Sequence, residues 1–167
     1  YQKSVDCWNK YIDIFTKIPK LTKFYPEVIC TGIIDTGHLF NLLSLIKDDQ
    51  LSLRSVIYLS YGSVTKHLTA NDISSFCLEL AKIDPDGSWV ALDIIFMYCY
   101  GDNDKFVATK ETLKSIVTSV PLNNRFRGGH SDMYHWEEVI KKLLGTEELD
   151  FASAVCKQII AAADDKL

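Results

Sequence analysis

The stretch Arg125-Phe126-Arg127-Gly128-Gly129-His130-Ser131-Asp132 collects chemically versatile side chains where no packing pattern requires them. Two guanidinium forks, a glycine pair and a helix start at Ser131 with outward-pointing N–H groups could together hold a phosphate or carboxylate. Phosphate-cradling loops need a longer glycine pattern with Lys and Ser/Thr at fixed spacing, which Gly128-Gly129 does not supply. The stretch therefore reads as a locally basic connection between helices, and Arg125, Arg127, His130 and Asp132 are its candidate binding residues.

His130, Asp132, His135 and Glu138 are ligand types for zinc, iron or manganese. The two histidines are five residues apart, off the i,i+4 spacing that puts two ligands on one helix face. There is no HExxH, no doubled ExxH and no adjacent His-Asp pair, so neither a metal nor a cofactor is expected. Tyr61-Gly62-Ser63 falls inside a helical pattern with no strand before it and is not a nucleophile elbow. No catalytic residue is assigned. Asp93 is the only charged residue between Trp89 and Tyr100. Its packing reading is a narrow polar seam or a pair with a basic residue on another helix. Its functional reading is a buried carboxylate with a raised pKa, the possible acid of a pocket.

The elements that must position these residues are helices. Val5, Trp8, Tyr11, Ile12, Phe15 and Ile18 recur at helical spacing, and Pro19 ends that helix. Pro26 suits the first turn of the next, whose apolar pattern runs to Asp48 and offers a break at Gly32 or Asp35-Thr36-Gly37. A further helix is expected over residues 52–68. Thr69 with Asp72 forms a capping box ahead of Ile73, Phe76, Cys77 and Leu80. Asp84-Pro85-Asp86-Gly87 reads as a turn, with Ser88 as the N-cap of an all-round apolar helix that Gly101 closes. A helix apolar on every side must be covered on every side, which places it at the centre of the fold. Helices starting near 109, 131 and 147 complete the chain, and no segment shows sustained strand alternation.

The expected fold class is all-α, with seven to eight antiparallel helices. Alternate helix starts recur at roughly 36 to 48 residues, the period of two-helix repeat units. Over residues 50 to 165 this spacing resembles HEAT or armadillo repeats, and the resemblance implies fold only: a right-handed α-solenoid-like stack, or an irregular helical bundle of similar amphipathicity.

A chain of 167 residues, 47% hydrophobic and 24% charged, supports one sizeable core, so a single domain over 1–167 is expected. The net charge of -4 disfavours nucleic acid as a partner, because phosphate binding shows as a clustered excess of Lys and Arg. The longest nearly unbroken apolar run, Trp89 to Tyr100, is 12 residues long and contains Asp93, whereas a membrane span needs about 20. Five cysteines at 7, 30, 77, 99 and 156 form no close pair, which reads as reduced thiols in a soluble, cytoplasmic protein. Residue 1 is Tyr, so the chain reads as a piece of a larger, multidomain protein.

These observations lead first to a non-catalytic helical-repeat interaction module, a scaffold segment binding a protein, a peptide or another domain of the same protein. The alternative is a small-ligand or phosphate-binding enzyme domain using the Arg125 to Asp132 loop. A third reading, nucleic-acid binding by helical repeats, requires the N-terminal lysines and the loop arginines to share a face.

Overall fold

The computed structural model describes residues 2–61, 64–83, 85–122, 131–145 and 149–164, and only the backbone of residues 2–5, 85, 131, 132 and 164. Among them it is all-helical, with ten α-helices and one 3-10 segment and no strand. The helices gather into two compact units, residues 1–68 and 69–167.

The first unit opens with α1 (Gln2–Lys17), which Pro19 separates from the short α2 (Pro19–Thr22), as the ring at the first helical position requires. Next come α3 (Tyr25–Ile29) and α4 (Thr36–Lys47). A capping box starts α4: Asp35 Oδ1 accepts from the His38 N–H at 3.0 Å, and His38 Nδ1 accepts from the Asp35 N–H at 3.2 Å. Asp49, at φ 56°, takes the left-handed conformation that ends α4, letting the Gln50 and Leu51 N–H groups turn back to the Leu45 carbonyl at 2.8 and 3.0 Å. Tyr25, Ile29, Leu39, Leu42 and Val56 are buried in this unit's core.

The helix expected over 52–68 is instead a 3-10 segment, Leu53–Ser60. Ser55 Oγ donates to the Ser52 carbonyl at 2.6 Å and Ser60 Oγ to the Ile57 carbonyl at 2.7 Å. Hydroxyls that bind carbonyls three residues back compete with the i,i+4 ladder, which favours the tighter helix.

In the second unit, α5 (Ala70–Leu80) begins with the Thr69–Asp72 capping box that the sequence predicts. It is followed by α6 (Pro85–Cys99), α7 (Asn103–Ala108), α8 (Lys110–Ser119), α9 (Ser131–Leu144) and α10 (Leu149–Asp164). The central helix is α6, in contact with α5, α7, α8 and α9. Every residue from Trp89 to Ile95 is buried, as an all-round apolar helix must be.

The start of α6 departs from expectation. Pro85 already lies in the helix, because a missing N–H and a fixed φ cost nothing in the first turn. Ser88 is thus no N-cap; it is buried, and Ser119 Oγ of α8 donates to its hydroxyl at 3.1 Å. Gly87 is no turn glycine either, since it serves as the close-approach point between α5 and α6. A Cβ there would lie 2.3 Å from the Leu80 carbonyl oxygen. Gly101 behaves as predicted, closing α6 at φ 75°.

Candidate functional site

Two helix faces meet in the second unit. Asp93 and Phe96 on α6 and Tyr100 just past its end fall at i, i+3 and i+7; on α9, His135, Glu138 and Lys142 do the same. Where the faces touch, Asp93, only 4% exposed, accepts a hydrogen bond from His135 Nδ1 at 2.5 Å. The carboxylate can only accept, so it holds the proton of His135 on Nδ1. The other ring nitrogen, Nε2, has no hydrogen-bond partner among the described residues and is not among the buried atoms that lack one. The imidazole stacks on Phe96, ring centroids 4.2 Å apart at 25°.

Phe96 also forms part of the wall of an open cleft of about 190 Å³. Phe96, Cys99 and Tyr100 come from the end of α6, Phe106 from α7, Leu113 from α8, and Glu138, Val139 and Lys142 from α9. The rings of Phe96 and Tyr100 are 5.8 Å apart at 52°, and Tyr134 meets Phe96 edge-on at 6.5 Å. Lys142 Nζ sits 3.9 Å over the Phe106 ring. Glu138 pairs with Lys141 at 2.9 Å, and that hydrogen bond holds the Lys141 ammonium above its ordinary pKa. The Sγ of the lining residue Cys99 and Thr109 Oγ1 are 3.1 Å apart, while Thr109 Oγ1 donates to the Lys105 carbonyl at 2.8 Å.

Of the residues the sequence singles out, Asp93 is thus placed against His135. Arg125, Arg127 and His130 lie outside the described residues. Asp132 lies in the first turn of α9, and its side chain is likewise outside the description. Among the described residues no group of three or more His, Cys, Asp or Glu converges on a metal position. The remaining described histidines are tied to backbone, His38 in its capping box and His67 through Nε2 to the Ile34 carbonyl at 2.5 Å.

The first unit holds a polar hollow of about 200 Å³ between α1 and α4. Three of its polar side chains are engaged internally: Asp13 with Lys17 at 3.1 Å, Asp35 in the α4 cap, and Asn41 with the Tyr25 hydroxyl at 3.4 Å.

Sequence reasoning missed the aromatic cleft. The signal for it was present as two i, i+3, i+7 faces, one with Asp93 ahead of two aromatic residues and the other made of His135, Glu138 and Lys142. Linear spacing could not show that these faces oppose each other 42 residues apart. Comparison of the chain with protein-family models, with curated proteins and with solved structures found no match in any of the three.

Proposed function

We propose that the chain is a non-catalytic interaction module that binds a peptide segment of a protein partner, with the aromatic cleft of the second unit as its binding element. The observation that carries this reading is the exposure of Tyr100 (62%), which lines the cleft with Phe96 and Phe106, and of Tyr134 (52%), which meets Phe96 edge-on. Tyrosine presents a large rigid face and a polar tip at low entropic cost, the chemistry that anchors binding interfaces. The ring of Phe96 is pre-set by its stack on a histidine that a buried carboxylate holds in place, which lowers the ordering cost of binding. A HEAT-like repeat arrangement, a scaffold role and a cytoplasmic location belong to the same proposal and rest on helix spacing and cysteine usage. Among the described residues no helix is long and apolar enough to cross a membrane.

The test is selection of peptides from a random library on the whole chain, followed by affinity measurements on Tyr100→Ala, Tyr134→Ala. Both side chains are exposed, so the double variant keeps the core. Selected peptides should lose about tenfold or more in affinity, the effect of truncating an aromatic anchor. Equal affinity for the variant, or no enrichment at all, overturns the reading.

A further inference from the structure

The cleft already holds a cation of its own. The Lys142 ammonium lies 3.9 Å over the Phe106 ring, although Glu138, one turn back on the same helix, offers a carboxylate. That carboxylate is taken by Lys141, and the Lys142 ammonium rests on the ring instead. One further feature favours positive charge here. Cys99 and Gly101, at the carbonyl end of the 15-residue helix α6, line the cleft, so the negative end of the helix dipole faces it.

Resting on the reading of the cleft as a peptide site, we propose that it selects a methylated lysine side chain on the partner, with Lys142 as the resident competitor that the ligand displaces. A ring's negative face attracts any ammonium, but an ordinary lysine must give up strong hydration to reach it. Methylation removes donors and hydration while keeping the charge, so the incoming head group loses less water than Lys142 does. Lys142 is exposed on α9 and can swing into solvent, leaving Phe96, Tyr100 and Phe106 to the ligand. The cleft, at about 190 Å³, accommodates the head group and the end of its aliphatic stem.

The experiment is an NMR titration of the whole chain with short Gly/Ser peptides carrying one central lysine, trimethyl-lysine or its uncharged tert-butyl isostere, and with tetramethylammonium alone. The trimethyl-lysine peptide is expected to shift resonances of Phe96, Tyr100 and Phe106 and to bind about tenfold more tightly than the neutral isostere. Lys142→Gln should tighten that binding several-fold, and Phe106→Leu should weaken it. Because Lys142 is exposed, the first variant remains informative if the second fails to fold. Equal binding of the isostere, an unchanged or weakened Lys142→Gln, or tetramethylammonium binding as tightly as the peptide overturns the proposal. If library-selected peptides still depend on Tyr100 and Tyr134 while trimethyl-lysine does not bind, this inference falls and the interaction module stands.

Discussion

Asp93 sits in a helix whose neighbours from Trp89 to Ile95 are all withdrawn from water, a position a carboxylate tolerates only when something donates to it. His135 is that donor. Removing one partner of such a pair leaves the other unsatisfied, and the full penalty then falls on the survivor. His135→Ala, which leaves the buried Asp93 carboxylate without its donor, is therefore expected to cost about 3 kcal/mol or more, with Asp93→Ala smaller, about 1 to 3 kcal/mol, because the ring it leaves behind is the more exposed of the two side chains. The double variant should cost less than the sum, with a coupling of about 1 kcal/mol or more in a urea-unfolding cycle. Strict additivity would show that the contact contributes nothing as a pair. The existence of a buried acid was legible in the sequence because Asp93 interrupts an apolar run; its partner was not, since His135 stands next to Trp136 with nothing to mark which way it faces.

Element boundaries followed local chemistry wherever that chemistry was self-contained. The Thr69–Asp72 box, the break at Pro19 and the stop at Gly101 each involve residues within a few positions of one another. Boundaries failed where a neighbour intervened. Ser88 has good capping chemistry, but it is drawn into the seam between α6 and α8, and Pro85 takes the helix start. Attachment of α10 is a second case. Gln158 Nε2 donates to the carbonyls of Val117 at 2.9 Å and Val120 at 2.5 Å, and Trp136 Nε1 of α9 donates to Val117 at 3.3 Å. Long-range side chains thus satisfy the orphan carbonyls at the end of α8, where Pro121 prevents any continuation. Gln158→Ala should destabilise the second unit by about 1 to 2 kcal/mol. Its amide-exchange protection should fall first in α10 and at the end of α8. A uniform fall across α5 and α6 would argue against this docking role.

Across the whole chain, protected hydroxyls and thiols make alkaline pH the vulnerable side. Burial pushes the Tyr25 hydroxyl from 10.0 up to about 12, with Asp35 and Asp13 adding to the effect. Burial and Glu27 push the Cys30 thiol from 9.0 up to about 11. Burial also raises the Cys77 thiol, with Cys99 adding to it, and the Tyr98 hydroxyl. Each group stays protonated in the fold after the unfolded chain has begun to ionise, so above about pH 9 the unfolded state binds fewer protons and gains relative stability. Stability is full below that point and falls as pH rises through about 11 to 12. Tyr25→Phe should leave the urea midpoint at pH 7 nearly unchanged, since the hydroxyl makes one long contact with Asn41, and should shrink the loss between pH 9 and 11. Parallel curves for the two proteins would show that Tyr25 plays no part.

The all-helical class, the full burial of Trp89 to Ile95 and most helix starts were legible in the sequence alone, whereas the exposure of Tyr100 at the end of the same apolar run was not. Apolar periodicity, proline and capping pairs act over one or two turns, and those turns lie next to each other in the chain. Tertiary structure decided the rest: which helix face Asp93 finds, which ring Lys142 covers, and that Phe96, Tyr100, Phe106 and Lys142 share one cleft. These depend on where whole helices come to lie against one another. That placement is set by packing complementarity summed over a core, which no local spacing encodes.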